Sequence, residues 1–288
     1  MKMTSLPAFL ALFLLGAPGL AQAQGLGLNA QNNGKPMSIE ADDGIEWQQD
    51  SHLYVARGKV KATRGDVTIY ADTLTAYYRP TSSSAPKPAA GGVAGFGGGN
   101  TEIYRVDADG HVRITTPTQT AVGDHAVYDS DQQLVMLTGK DLRLVTPRDT
   151  ITAHDSIEWY EVKQLAVARG NAIAIRDDKR LRGDVLTAQV AKGANNQASR
   201  ISRVDAHGNV LASSKDQIAR GDKGVYNVDT GIATLSGRVT LTKQENELRG
   251  QYAVVDMNNN TSRLLSAPPG GAPSGRVEGL IMPREKGK

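Results

Sequence analysis

Apolar and polar residues alternate along most of this chain, in short runs that end at glycine, asparagine or aspartate. Val67 and Ile69, for example, alternate with Thr68 and Tyr70. A period of two is the pattern of a half-buried β-strand, and Val, Ile, Thr and Tyr fit its pleated surface. Beyond the N-terminal segment, no stretch shows the 3.6-residue period of a capped helix. The pattern therefore predicts an all-β fold of many antiparallel strands.

Glycines mark the ends of these runs at regular intervals. Gaps of 13 and 16 residues occur in the first half of the chain and recur in the second: Gly110, Gly123 and Gly139, then Gly208, Gly221 and Gly237. Each gap accommodates one strand and one turn. Tight turns need a positive φ, which glycine adopts without steric cost, and a neighbouring Asp or Asn satisfies turn amides. We expect a strand-and-turn module that repeats along the chain.

A longer repeat shows that the chain is an internal duplication. Residues 41–58 and 153–170 are identical at 10 of 18 positions, and RVDADGHV (105–112) matches RVDAHGNV (203–210). The offset between the copies falls from 112 to 98 because the first copy carries extra residues. The predicted layout is a signal peptide (1–23), a flexible segment (24–35), copy 1 (36–147) with a loop at 80–100, copy 2 (148–283) and a tail (284–288).

The N-terminus has the organisation of a secretory signal peptide. Lys2 precedes an apolar stretch from Leu6 to Leu20, and Ala21-Gln22-Ala23 supplies the small-x-small cleavage pattern. No later apolar run reaches membrane-spanning length. The chain has no cysteine, so a secreted form relies on its core and hydrogen bonds instead of disulfides. We predict a soluble protein of the periplasm.

The extra residues of copy 1 form a low-complexity segment. Residues 80–100 are rich in proline and serine and then in glycine (PTSSSAPKPAAGGVAGFGGGN). This composition is typical of a flexible surface loop, which can be inserted without harming a sheet. Its glycines do not indicate a nucleotide site, because no Walker A motif and no strand-to-helix unit surround them.

Titratable residues give no pattern of an enzyme or a metal site. The five histidines do not recur between the copies, and none has a metal-ligand spacing to another. Aspartates do recur, as Asp72 with Asp184 and Asp124 with Asp222, but they lie at strand starts where a turn role explains them. The net charge of +3 and the 5% aromatic content are too low for nucleic-acid binding. We predict no catalysis, no cofactor, no metal and no nucleic-acid partner.

The motifs together resemble the OstA-like family of lipopolysaccharide-transport proteins, to which LptA belongs. The run IEADDGIEW…LYVARGKVKATRGDVTIYADTL (39–74) is similar to the opening of an OstA-like domain, as is RVDAxGxV followed by Gly-Asp-x-x-x-Tyr. RVEGLIMP (276–283) is similar to the strand that closes LptA chains. The resemblance covers residues 36–283 and implies an elongated, twisted, open-ended β-jellyroll whose two sheets form a V-shaped groove. Two copies make this chain longer than is usual in the family.

The resemblance also implies a function. Lipid A acyl chains of lipopolysaccharide would bind in the groove, as one link of a periplasmic bridge between inner and outer membranes. The implied partners are OstA-like domains of the inner- and outer-membrane components, and further copies of the chain joined head to tail. End strands are expected near Met37–Ile45 and Arg276–Met282, where unpaired edges can add a strand. Two alternatives stay open: a structural β-solenoid without lipid cargo, and a polysaccharide-active β-helix enzyme.

Apolar positions that recur between the copies are the candidates for lining the groove. They are equally compatible with an ordinary packed core: Leu53 with Leu165, Val55 with Val167, Leu74 with Leu186, Val112 with Val210, and Val127 with Val225. Candidates for the groove rim are two tryptophans, which are also typical caps of a β core, and two arginines, which are also typical of solvated strand ends: Trp47, Trp159, Arg57 and Arg169.

Overall fold

The structure is a computed structural model. It describes residues 37–80, 101–191, 200–215, 217–256, 258–259, 261–272 and 275–282, and within these ranges the chain forms β-strands joined by turns. The strands are β1 Met37–Glu40, β2 Gly44–Gln48, β3 Leu53–Arg64, β4 Val67–Pro80, β5 Thr101–Thr115, β6 Thr120–Asp129, β7 Leu134–Thr138, β8 Leu142–Val145, β9 Thr150–Ala153, β10 Ser156–Tyr160, β11 Leu165–Arg176, β12 Lys179–Ala191, β13 Arg200–Ser213, β14 Gln217–Asn227, β15 Ile232–Lys243, β16 Asn246–Asp256, β17 Thr261–Leu265 and β18 Glu278–Leu280.

The all-β prediction is confirmed. Within these ranges there is no helix that could cross a bilayer. The predicted signal peptide, the segment 24–35, the tail 284–288 and residues 81–100 of the predicted loop lie outside the described residues.

The chain divides into two compact units, the first within residues 22–168 and the second within residues 169–288. In the first unit, neighbouring strands in the chain pair antiparallel, β3 with β4, β4 with β5, and β5 with β6. β7 and β8 then share the far edge of β6, one after the other, and pair with β10 and β9 respectively. The copy boundary between residues 147 and 148 stays a prediction.

Strands β3 and β5 of the first unit are each interrupted near the middle by a β-bulge. Gly58 and Lys59 of β3 both lie opposite the single residue Asp72, and Gly110 and His111 of β5 both lie opposite Asp124. The two residues of each pair have positive φ, 84° and 42° in β3 and 78° and 47° in β5. An extra residue bends its strand, so the row of bulges folds the sheet into two halves.

Side chains from the two halves meet inside the first unit. Leu137 of β7 and Leu142 of β8 converge on Gly123, where a Cβ would lie 2.8 Å from Leu137 Cγ and 2.9 Å from Leu142 Cδ2. The largest fully buried side chains here come from both sides of the bulges: Val60, Leu74, Val112, Ile114, Leu137 and Leu142. The glycine therefore lets the halves approach closely enough to form a core.

The second unit repeats this plan. Strands β12 to β16 pair antiparallel in chain order. Gly208 and Asn209 of β13 both lie opposite Asp222, and both have positive φ. Its fully buried side chains are Val210, Leu235 and Val239. The same glycine-containing motif thus bends the sheet in both units.

Short strands occupy the outer edge at each end of the paired series. β1 and β2 share one edge of β3, β1 against residues 61–64 and β2 against residues 53–57. β17 and β18 share one edge of β16, β17 against residues 252–256 and β18 against residues 247–249. Both end strands expected from the sequence are therefore strands in the structure, although β17 was not expected.

Candidate apolar groove

An inward-facing row of apolar side chains crosses the first unit. Antiparallel register aligns one residue from each of seven strands, and three of the seven are alanine: Ile45, Ala56, Leu74, Ala108, Ala126, Leu137 and Ile157. All of them are buried except Ile45 on the edge strand β2. Small side chains in this row allow the two halves of the sheet to pack closely.

A cavity lies between the two halves of the first unit. Its lining is apolar or aromatic except for one arginine: Met37, Ala62, Arg64, Ile69, Leu74, Ile103, Val106 and Tyr128. Met37, Ile103 and Tyr128 are only half-buried, so the cavity reaches the surface. Burial raises the pKa of Tyr128, which keeps its hydroxyl neutral. The lining is mainly apolar, the space it encloses is only about 20 Å³, and the lining residues include no catalytic constellation.

Four of the ten predicted lining residues point inward. Leu74 and Val112 are 1% and 0% exposed, and Leu74 lines the cavity. Their counterparts Leu186 and Val210 are buried in the second unit, where Leu186 pairs with Ala206 in the inward row. All four are buried, which fits an ordinary packed core as well as a lining role.

The remaining predicted lining residues do not share that face. Val55 aligns through Thr75 and Asp107 with Val127, one residue away from the inward row. Leu53 is two residues from Val55 and shares its face. Val225 pairs with Asp205 and Thr234 in the corresponding outward row.

Leu165 and Val167 are the counterparts of Leu53 and Val55 in copy 2. Leu165 is half-buried and Val167 is buried. The ten residues therefore do not form one surface, and the lining role of the full set stays a prediction.

Trp47 and Trp159, predicted at the rim, have different surroundings. Trp47 lies on β2 at the edge, where its Nε1 donates to Tyr78 Oη at 2.8 Å and its ring stacks on Tyr54 at 6.0 Å. Trp159 is buried, and its Nε1 has no hydrogen-bond partner among the described residues. The position equivalent to Tyr78 is Val190, which has no hydroxyl to accept that bond.

The two predicted rim arginines are exposed strand residues. Arg57 donates from Nη1 to Glu46 Oε2 at 2.9 Å, across the pair β2–β3. This bond lowers the pKa of Glu46 below its usual range. Arg169 lies in β11 and is exposed. A rim role for the four residues stays a prediction.

The predicted lining and rim residues leave out several residues that line the cavity or contact Trp47. Ile69, Val106 and Tyr128 line the cavity, and Tyr54 and Tyr78 form an aromatic cluster with Trp47. The alternation of Val67, Ile69 and Ala71 with polar residues indicates strand β4, on which Ile69 lies. Proximity between Tyr54, Tyr78 and Trp47 arises from strand pairing and leaves no local pattern.

The recurring aspartates bind the bulges from the neighbouring strand. Asp72 Oδ2 lies 2.7 Å from Nδ1 of His111, and Asp184 accepts from Asn209 Nδ2 at 2.9 Å. Asp222 accepts from Arg238 Nη2 at 2.6 Å, which lowers the pKa of Asp222. Each partner follows a glycine and has positive φ. The aspartates therefore hold the bent backbone, and among the described residues no cluster of three or more acidic or histidine side chains could hold a metal.

Replacing Asp72 by Asn should lower the pKa of His111. The Asp72 carboxylate accepts the imidazole hydrogen bond and raises the pKa of His111 above its usual value. Protonation of His111 therefore favours the folded state, an effect present at acid pH and lost as the pH rises through the raised pKa. Titration of the imidazole resonances by NMR in both proteins measures the change; an unaltered His111 pKa would contradict the contact.

Comparison with known proteins identifies the family. The family described as LptA/(LptD N-terminal domain) LPS transport protein matches residues 38–160 and 150–261. The chain belongs to this family. The double match agrees with the internal duplication, and the LptA/LptD N-terminal family is one of transport proteins and not of enzymes, as the sequence predicted.

Individual relatives of the LptA/LptD N-terminal family match parts of the chain. An uncharacterized protein of Rhizobium meliloti (strain 1021) is 29% identical over 136 residues, which are 46% of this chain and 65% of that protein. The chain thus spans just under two thirds of that relative. The crystal structure of LptH, the LptA-homologous periplasmic component of the lipopolysaccharide transport device of Pseudomonas aeruginosa, is 21% identical, with a TM-score of 0.40. That similarity covers 47% of this chain and 95% of LptH.

Proposed function

We propose that this protein binds the lipid A acyl chains of lipopolysaccharide between the two halves of its bent sheets and carries the lipid across the periplasm. It would act as part of a bridge from the inner to the outer membrane, where it contributes to outer-membrane assembly. The observation that carries the proposal is the apolar cavity of the first unit, which reaches the surface beside Met37 and Tyr128. Membership of a lipopolysaccharide-transport family supports the choice of lipid.

Hydrophobic burial supplies the driving force for such binding. Each acyl CH₂ removed from water contributes about 0.8 kcal/mol. Leu74 and Val112 are almost completely buried, so an acyl chain has to displace the core packing around them. Met37, Ile103 and Tyr128 line the cavity and are only half-buried. Separation of the two halves there would therefore break the fewest core contacts.

The unpaired indole N–H of Trp159 is a polar feature of the same interior. A buried donor without an acceptor is destabilising by about 1–3 kcal/mol. Acyl chains of lipid A are attached through ester and amide groups, whose carbonyl oxygens accept hydrogen bonds. A lipid carbonyl close to Trp159 Nε1 would satisfy the donor and fix the depth of the chain in the groove.

The edge strands give the protein its proposed partners. β1 and β2 at one end and β17 and β18 at the other present strands to which further strands can pair. OstA-like domains of the inner- and outer-membrane components of the transport system would add to these edges. A location in the periplasm follows from this role, and the predicted signal peptide would supply the route.

Photo-crosslinking tests lipid binding at the cavity. A benzophenone side chain at Tyr128, which lines the cavity, should form an adduct with lipopolysaccharide when the protein is made in lipopolysaccharide-producing cells. The matched control places the same group at Val122, which lies on the same strand but is exposed on the outer face. The adduct is read on gels with an antibody against lipopolysaccharide.

The result also separates the proposal from the scaffold alternative. Labelling at residue 128 and not at 122 supports a groove that holds lipid. A folded protein with no adduct at either position contradicts the proposal and favours a structural repeat protein, as does equal labelling at both. The almost complete burial of Leu74 and Val112 is the observation that favours the scaffold.

A further inference from the structure

One cation stands in the lining of the first unit's cavity. Among the described residues that line it, Arg64 is the only one with a charged side chain. Arg64 ends β3, where it pairs with Met37 on one side and Val67 on the other, and it is half-buried. An arginine can lay its methylene stem along apolar surface while its guanidinium reaches water. Arg64 therefore places a positive charge beside Met37, where the cavity reaches the surface.

A tyrosine of the other half of the sheet lies close to this charge. Arg64 follows the bulge of β3, whereas Tyr128 pairs with Val106, which precedes the bulge of β5. Burial raises the pKa of Tyr128, and the positive charge of Arg64 offsets part of that rise, so the two groups are neighbours in space. A guanidinium and a phenol, both hydrogen-bond donors, thus stand at one opening of the cavity.

The second copy retains the lining of this cavity. Seven of the eight lining positions have a counterpart there, six of them identical: Ala174 for Ala62, Arg176 for Arg64, Leu181 for Ile69, Leu186 for Leu74, Ile201 for Ile103, Val204 for Val106 and Tyr226 for Tyr128. The eighth, Met37, corresponds to Asp149. The histidines, by contrast, do not recur between the copies. The arginine is therefore part of a set that both copies have kept.

The turn after each arginine does not explain its recurrence. Arg64 is followed by Gly65 and, at the next strand, by Val67, whereas Arg176 is followed by Asp177 and Lys179. Apolar positions can recur because any copy of the fold needs a core. A cation within such a lining has no packing role that an uncharged chain of similar length would not fill.

The counterparts also come together in the second unit. Tyr226 pairs with Val204 as Tyr128 pairs with Val106. Burial raises the pKa of Tyr226, which is 5% exposed, and the positive charge of Arg176 offsets part of that rise. The same arginine and tyrosine thus face each other in each unit.

We propose that Arg64 and Arg176 each bind a phosphate of lipid A, so that one chain holds two equivalent lipid sites, one in each unit. An arginine binds phosphate through two parallel N–H···O bonds. Its guanidinium has several donors, so a bound phosphate leaves others for contacts within the protein. Lipid A carries phosphates on the same sugars that carry acyl chains. A chain between the halves and a phosphate at the opening can therefore belong to one molecule.

The charges around the cavity favour a lipid phosphate over an uncharged hydrocarbon. None of the described lining residues is acidic, and the carboxylates of Glu161 and Asp129, which also act on Tyr128, lie outside the lining. Arg57, which was predicted at the rim, is exposed and bound to Glu46 instead. The inference rests on the proposed function, because the acyl chains have to enter between the halves.

Native mass spectrometry of the purified, lipid-free full-length protein with added lipid A counts the sites. The wild type should bind two lipid A molecules per chain, and Arg64→Met or Arg176→Met should bind one at the same lipid concentration. Methionine keeps an unbranched apolar stem and removes the charge. Arg113→Met is the matched control and should keep two, because Arg113 lies exposed on the outward face over the ring of Tyr70, 4.3 Å from its centroid.

Removal of the phosphates tests what the arginines bind. Dephosphorylated lipid A should bind the wild type roughly tenfold more weakly than lipid A in a fluorescence titration. The double variant Arg64→Met/Arg176→Met should bind the two lipids equally, and Arg64→Lys/Arg176→Lys should recover part of the difference because the charge remains. Inorganic phosphate should not displace lipid A; displacement would assign the arginines to free phosphate and overturn the lipid site.

The outcomes separate this inference from the proposed function. One lipid per wild-type chain, or a double variant that still prefers the phosphorylated lipid tenfold, would overturn the paired arginine sites. Dephosphorylated lipid A keeps its acyl chains, so its binding to the wild type would still support the proposed function in that case. A folded wild type that binds neither lipid would overturn both.

Discussion

Replacing Leu74 by alanine should lower the free energy of unfolding by about 2–5 kcal/mol. Leu74 is 1% exposed, lines the cavity and lies in the inward row between Ala56 and Ala108. Removal of its side chain enlarges a space that the closely packed halves cannot fill by relaxing. Urea denaturation followed by far-UV circular dichroism measures the loss.

The matched substitution is Leu53→Ala on the neighbouring strand. Both leucines were predicted from the sequence to line the groove, but Leu53 lies on the outward face of β3 and is half-buried. We expect a loss of less than about 1.5 kcal/mol, because less apolar surface leaves water there. Equal losses for the two variants would show that the register assigned to β3 and β4 is wrong.

Replacing Gly139 by alanine should destabilise the protein by about 2–4 kcal/mol. Gly139 has a φ of 143°, and an added Cβ would lie 2.6 Å from the backbone nitrogen of Asp124. The following residue, Lys140, donates its backbone N–H to Asp124 Oδ2 at 2.9 Å, and this bond would be strained as well. The contact is with backbone, so no side-chain rotation relieves it. Thermal and urea unfolding give the change.

Gly44→Ala separates backbone strain from steric overlap. Gly44 has a φ of 122° but no atom within 4 Å of an added Cβ. Its loss should reflect strain alone and be smaller than that of Gly139→Ala by at least about 1 kcal/mol. If Gly44→Ala is the more damaging of the two, overlap with Asp124 is not what fixes the bend at Gly139.

The two pairs of variants concern the features on which the proposed groove depends. Leu74 reports on the packing between the two halves of the sheet, which an acyl chain has to displace. Gly139 reports on the close approach between Asp124 of β6 and the connection from β7 to β8. A groove that opens for lipid requires the packing around Leu74 to separate while the backbone at Gly139 keeps its conformation. Side-chain packing can be displaced by an acyl chain, whereas the backbone contact at the glycine stays in place.

Much of this arrangement could be predicted from the sequence because its causes are local. Period-two runs such as Val67 to Tyr70 form strands, as predicted. The glycines at 110 and 208 were expected at turns between strands, and this was wrong: they lie at bulges inside β5 and β13, where the backbone also needs a positive φ. The aspartates predicted to serve turns lie at those bends, although they bind across to the neighbouring strand. His111, Asn209 and Arg238 also adopt positive φ. Their residue types did not predict this backbone conformation.

The candidate site was predicted less well. Alternation identifies two faces of a strand but does not say which is inward, since both phases fit the pattern equally. Apolar positions that recur between the copies were taken as the lining, and Val55 was among them. Val55 and Ala56 are both buried, at 7% and 2% exposed, but only Ala56 lies in the row that contains Leu74. On the strand opposite each bulge the phase shifts by one residue, so that Ile69 and Ala71 are buried on one side of Asp72 and Leu74 and Ala76 on the other.

The sequence by itself determined an all-β chain, its duplication, the glycines at which the backbone takes a positive φ and its family, because each depends on residues close together in the chain or on their repetition. Only the tertiary structure decided which face is inward, which side chains from distant strands share the cavity, and which copy of Ile-Glu-Trp is covered. These depend on strand pairing over long separations. The two copies differ in exposure despite similar sequences because β7 pairs with one and no strand of the first unit's described residues pairs with the same edge of the other.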